Sequence, residues 1–161
     1  TIRKLKDGVE DGIPEPDPVL EISVDGYIPD DYIADPRYKL ELYRRFAGLD
    51  YGEKDDLLDE IIDRFGEPPE EVEVLWRVAC LRALCRLLHI RGISVKPGEL
   101  RITFAENAAI DPTALMQLIS EQQQYMNFKS GAQAQLIFRT VKLKTDSLTW
   151  LEKNLPRLAF D

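Results

Sequence analysis

The sequence predicts an α+β domain, a small and mostly antiparallel β-sheet packed with five or so helices. Segments in which apolar and polar residues alternate are few, and they do not alternate regularly with helical segments, which disfavours a doubly wound parallel sheet. Two of them flank Pro97-Gly98, a hairpin signature. Five stretches carry apolar residues at helical spacing, and four of those begin at a capping or proline signal.

Residues 1–17, "TIRKLKDGVEDGIPEPD", read as the end of a preceding helix followed by a polar, proline-rich linker, so the expected domain covers 18–161. In "VLEISVDG", Leu20, Ile22 and Val24 alternate with Glu21, Ser23 and Asp25, which predicts a strand with one wet face ended by Gly26. "YIPDDYIADP" follows as an extended connector. Asp35-Pro36 then starts a helix, with Asp as the cap and Pro at the first helical position. Tyr38, Leu42, Tyr43 and Phe46 form its apolar stripe, and Gly48 closes it. The next helix, about Glu53 to Phe65, turns Leu57, Leu58, Ile61, Ile62 and Phe65 inward and stops at Gly66.

Pro68-Pro69 with Glu70 and Glu71 begins a long helix whose acidic residues lie near its positive end. Val72, Leu75, Trp76, Ala79, Ala83 and Leu87 repeat along it, while Arg82, Arg86 and Arg91 gather toward its other end. In the hairpin, Ile93 and Val95 face Leu100, Ile102 and Phe104 across Pro97-Gly98. Asp111-Pro112 repeats the helix start, with Leu115, Leu118 and Ile119 inside. "AQLIFRTV" reads as another strand. Asp146 or Ser147 caps a last helix through Leu148, Leu151 and Leu155, which Pro156 should kink or fray.

A chain of 161 residues, 44% hydrophobic, suffices for one core. Its net charge of −8 argues against a partner bound through a phosphate backbone and favours a basic or neutral protein partner. No apolar run approaches the roughly 20 residues that cross a bilayer, and no charged-then-apolar start resembles a signal peptide, so a cytoplasmic location without membrane contact is expected. Thr1 falls in mid-pattern, as in a piece of a larger protein.

Motifs for chemistry are sparse. There is no glycine-rich phosphate loop with its lysine, no G-x-S-x-G, no H-E-x-x-H and no Cys or His cluster at ligand spacing. Cys80 and Cys85 share a helix but diverge by about 140°, which suits neither a disulfide nor a joint metal site and reads as two buried thiols. His89, the sole histidine, ends the long helix, where an imidazole is favoured electrostatically. Asp30, Asp31 and Asp35 fit a Mg²⁺ site of a carboxylate-dependent hydrolase, and equally a turn and a helix cap. Arg77, Arg82, Arg86 and Arg91 suggest a DNA-binding accessory, although they spread around their helix rather than align. Asp56, Glu60 and Asp63, at intervals of four and three, share one helical face opposite Leu57, Ile61 and Phe65. Like charges so placed repel. The row is mildly destabilising, and is either a solvated face or the complement of a basic surface elsewhere.

"YIPDDYIADPRYKLELYRR", "LLDEIIDRFGEPPEEVEVL" and "ITFAENAAIDPTALMQLI", in this order, resemble the C-terminal domain of bacterial transcription-repair coupling factors, from about Leu20 to Phe160. The most specific piece is Asp-Arg-Phe-Gly at Asp63 to Gly66 before a proline-containing acidic helix start. One departure stands at Leu88 to Ile90, where Leu-His-Ile replaces the usual Leu-Gly-Ile. The resemblance implies a parent that translocates on double-stranded DNA using ATP and Mg²⁺, releases stalled RNA polymerase and recruits UvrA. Its motor and polymerase-binding motifs lie outside this chain. For the domain itself it implies a non-catalytic, cofactor-free regulatory clamp that packs on the UvrB-like N-terminal module of the same protein and competes with UvrA. The family contact, acidic residues against arginines, maps onto Glu60 and Asp63; Asp56 joins them by the helical-face argument alone.

Overall fold

The computed structural model describes residues 17–24, 26–140 and 145–160. The preceding-helix end and linker expected at the N-terminus therefore lie outside the described residues, apart from Asp17. In chain order the elements are β1 (Val19–Glu21), α1 (Pro36–Ala47), a 3-10 turn (Tyr51–Glu53), α2 (Lys54–Phe65), α3 (Glu70–Leu88), β2 (Ile90–Lys96), β3 (Glu99–Phe104), α4 (Pro112–Glu121), β4 (Met126–Lys129), β5 (Gln135–Arg139), α5 (Ser147–Asn154) and a second 3-10 turn (Leu155–Leu158). The five strands form one sheet in the order β1-β2-β3-β5-β4, antiparallel except for the β1–β2 pair. The α+β class is as expected.

Local chemistry accounts for the helix starts. Asp35, Asp111 and Asp146 each accept a backbone N–H of the first turn, from Arg37 at 2.9 Å, Thr113 at 3.0 Å and Thr149 at 2.7 Å. Pro36 and Pro112 follow the first two caps, where a missing N–H is harmless. Pro97-Gly98 makes the hairpin turn with Gly98 at φ 81°, and Gly66 leaves α2 at φ 89°. His89 ends α3 at φ 55°, in the left-handed region that glycine favours. Its ring Nδ1 lies 3.2 Å from the Asn107 carbonyl.

Two cores share α3. On one side Leu81, Leu84, Cys85 and Leu88 pack with Ile93, Leu100, Ile102, Leu136 and Phe138 of the sheet and with Leu118, Leu151, Leu155 and Leu158. On the other, Val72, Ala79, Cys80 and Ala83 pack with Ile28, Ile33, Leu42, Phe46, Leu57 and Ile61. Trp150 of α5 lies on Phe138, ring centres 4.8 Å apart. Pro156 does not fray the chain's end: the last helix tightens into the 3-10 turn, and Leu158 accepts a bond from the Asp111 N–H at 2.8 Å.

Several expectations are corrected. The first strand covers three residues, and Val24 is exposed. It pairs with β2 where Gly92 lets the chains approach; a Cβ there would sit 2.9 Å from the Val19 carbonyl oxygen. Tyr38 and Tyr43 are largely exposed; the Tyr43 hydroxyl accepts the Ile28 N–H at 3.0 Å, holding the connector against α1. Leu87 is 57% exposed, because the buried side of α3 shifts toward Leu81, Leu84 and Leu88 as the helix reaches the sheet. Strand β4 was not anticipated: its alternation, Met126 and Phe128, is too short to register after a run of glutamines.

Leu151→Ala is expected to lower stability by about 2–5 kcal/mol, and Leu87→Ala by less than about 0.5 kcal/mol. Urea unfolding of the two variants checks the assignment of α3's faces.

Candidate functional site

Helices α1 and α2 lie side by side over the second core, held inward by Leu42 and Phe46 on one and Leu57 and Ile61 on the other. The acidic row runs along α2 beside the groove between them. Glu60 leans into that groove. Its Oε2 accepts from the Arg45 guanidinium of α1 and from Arg64 Nη1, one turn on, at 3.3 Å. Arg64 also reaches both oxygens of Glu41 on α1 at 3.5 Å. The same guanidinium lies over the Phe65 and Tyr38 rings, 4.8 and 5.7 Å from their centres. Tyr32 closes this end: its ring meets Phe65, and its hydroxyl donates to the Gly66 carbonyl at 2.6 Å.

Toward the start of α2 the groove opens into a cavity of about 270 Å³, with Arg44 and Arg45 on the α1 wall and Glu53, Asp56 and Glu60 opposite. Asp56 and Asp63 are exposed and make no hydrogen bond or ion pair with any described residue. The row therefore divides. Asp56 and Glu60 border the cavity, and Asp63 stands outside it.

This corrects the expectation of unrelieved repulsion. Arg64 follows Glu60 by four residues, the favourable order for an ion pair, and Arg45 comes from a separate helix. Glu41, Arg45 and Arg64 are the residues that the sequence reading missed. The Glu60–Arg64 spacing was visible; the Arg45 contact depends on how α1 packs.

The other candidates are dispersed. Asp35 caps α1 and pairs with Arg37 at 2.9 Å, Asp30 pairs with Lys39, and Asp31 is exposed. No group of three or more His, Cys, Asp or Glu among the described residues is placed to hold a metal ion. On α3, Arg77 grips Glu152 of α5 through two bonds of 2.9 and 2.6 Å, and Arg86 donates to the Ala47 and Leu49 carbonyls at 3.3 and 3.0 Å. These two arginines brace α3 against α5 and the end of α1 rather than present a cationic surface. Among the described residues no helix is long and apolar enough to cross a membrane.

Both thiols are buried, Cys85 in the sheet core and Cys80 in the helical one. Desolvation pushes each up to about 12. Neither is expected to react with Ellman's reagent at pH 8 in the native chain, and both should react in denaturant.

Hydrogen bonding from Arg45 holds Glu60 below the usual carboxylate range, as Arg157 does for Glu121 and the Thr149 backbone N–H does for Asp146. Each folded value lies below its ordinary one, 4.5 for Glu and 3.8 for Asp. The stabilisation is thus complete above those values and is lost as pH falls through the folded ones. Melting temperature should be flat above about pH 5 and fall below about 4.5, with a shallower fall in Glu60→Gln.

The TRCF domain family matches residues 22–115. The transcription-repair-coupling factor of Bacillus subtilis is 37% identical over 102 residues, 62% of this chain and 9% of that protein. That of Haemophilus influenzae is 31% identical over 125 residues, 75% of this chain and 11% of its own length. That of Escherichia coli is 28% identical over 140 residues, 86% of this chain and 12% of its own length. The chain thus spans about a tenth of these relatives. In fold it is similar to the crystal structure of the C-terminal domain of transcription-repair coupling factor, with a TM-score of 0.70 at 24% identity, covering 88% of this chain and 94% of that one.

Proposed function

The chain belongs to the TRCF domain family, and from that premise we propose that it is a non-catalytic regulatory domain of a bacterial transcription-repair coupling factor, cytoplasmic and without a cofactor of its own. The parent is an ATP-driven DNA translocase that displaces stalled RNA polymerase and recruits UvrA. This domain clamps the UvrB-like N-terminal module of the same protein and masks its UvrA-binding surface. The observation that carries the reading is the α2 face: Asp56 and Asp63 are exposed carboxylates without partners among the described residues, and Glu60 stands between them at the groove mouth.

Energetics suit a clamp that must open. Exposed ion pairs contribute about 0.2–1 kcal/mol each, whereas removing one partner of a desolvated interface pair costs roughly 2–5 kcal/mol. A few pairs between these limits hold a closed form that polymerase or DNA, binding elsewhere on the parent, can release. The dispersal of Asp30, Asp31 and Asp35 into a cap and an ion pair weighs against a metal hydrolase. The bracing roles of Arg77 and Arg86 weigh against a DNA-binding face.

In the full-length parent, Glu60→Arg with Asp63→Arg is expected to raise UvrA affinity tenfold or more, with ATP hydrolysis rising as the clamp opens. Unchanged UvrA affinity and ATPase in a variant whose melting temperature is preserved would reject the clamp.

A further inference from the structure

We propose that the cavity at the end of α3 is a binding site for a small organic anion, a carboxylate carried on a compact apolar body the size of one ring. The site uses neither α2 nor the groove beside it, so it stands or falls apart from the clamp. Pro18, Cys85, Ile90 and Ala105 supply apolar surface, and Arg86, His89 and Arg91 complete the wall around about 130 Å³ that opens to solvent on one side. An apolar cavity of roughly 150 Å³ accepts a benzene ring, which sets the size of the body. The fold makes this space where α3 stops and turns into β2. Val19 pairs with Gly92 in the parallel β1–β2 ladder, which brings Pro18 to the cavity from the other side.

Two features mark the cavity as more than a packing gap. His89 is the one non-glycine residue at positive φ among the described residues, at 55°. That backbone is disfavoured for a side chain with a Cβ, and residues kept in it concentrate at ligand sites. The contact of its Nδ1 with the Asn107 carbonyl fixes the ring as a flat wall. The second feature is charge. In a chain of net charge −8, the permanently charged groups lining this cavity are two guanidinium ions. Arg91 is exposed and makes no hydrogen bond or ion pair with any described residue. Arg86 gives Nη2 to the Ala47 and Leu49 carbonyls, and its Nη1 lies 3.4 Å from the largely exposed Asp17 carboxylate. A carboxylate thus already approaches Arg86 at the rim, at a distance longer than a good charge-assisted bond. A ligand carboxylate can take the unspent Arg91 fork and compete with Asp17 for Arg86, while its apolar body lies on Cys85, Ile90 and the His89 ring. A cationic ligand is repelled by both arginines, and inorganic phosphate has the charge without a body to cover the apolar floor.

The test titrates benzoate into the 161-residue chain at neutral pH and follows amide chemical shifts, with benzamide and benzylamine as neutral and cationic isosteres. Benzoate is expected to saturate with a Kd on the order of 1 mM, ordinary for so small a ligand, and to move the amides of Ile90, Arg91 and Ala105. Benzamide should bind about fivefold more weakly or worse, and benzylamine not at all. Arg91→Gln should weaken benzoate about two- to fivefold, the range of exposed ion pairs. His89→Gly separates binding from folding. Glycine suits the left-handed backbone, so the melting temperature should stay within about 4 °C of wild type, while loss of the ring wall weakens benzoate about fivefold or more. No saturation below about 10 mM, or equal affinity for benzamide and benzoate, overturns the proposal. So does unchanged benzoate affinity in either variant whose melting temperature is preserved. Shifts confined to residues away from the cavity mean an adventitious additive only, and overturn it as well.

Discussion

The structure depends on α3 being buried on two sides at once. A helix with one apolar stripe can cover a sheet or another helix, but not both. Here the first half of α3 gives Val72, Ala79 and Cys80 to the helical core, and the second half gives Leu81, Leu84, Cys85 and Leu88 to the sheet core, with Ala83 still facing α1. The helix therefore turns its apolar surface as it advances, and the two cores become one body. Tyr51 packs against both of them. The arginines at the flanks complete the joint, Arg77 to α5 and Arg86 to the carbonyls that end α1.

That arrangement settles where charge is available. Because α3 backs the α1–α2 pair from within, the outer sides of α1 and α2 are left to each other, to the connector through Ile28, Asp30 and Tyr32, and to solvent, and the groove between them is lined by opposite charges. Arg77 with Glu152 and Arg157 with Glu121 join distant segments by two bonds and hold elements together. The Glu60 cluster differs in sharing one acceptor oxygen between two donors. In a chain of net charge −8 the acid is abundant; the distinguishing feature is which carboxylates the fold leaves uncompensated. Among the described residues Asp56 and Asp63 belong to that class, whereas Glu60 is paired with Arg45 and Arg64.

Features set by bonds within a few residues are legible in the sequence, and those set by long-range contacts are not. Asp35-Pro36, Asp111-Pro112, Pro97-Gly98 and Gly66 specify their caps and turns through bonds within a few residues, and the structure places each as read. Helical spacing misplaces Leu87 and Tyr43, because it reports a periodic face without saying which neighbour covers it. The edge strands suffered for another reason: β1 is held by a parallel pairing across Gly92, and β4 by antiparallel pairing to β5, both long-range.

The acidic row contains the same division in miniature. The sequence alone determined that Asp56, Glu60 and Asp63 share a face, since 3.6 residues per turn leaves no alternative once α2 forms. It also determined the Glu60–Arg64 spacing. Only the tertiary structure decided that Glu60 is shared with Arg45, fifteen residues earlier on another helix, and that Asp63 is not. Helical geometry is a property of the local backbone, whereas a contact between α1 and α2 exists only because their apolar faces are buried together against α3.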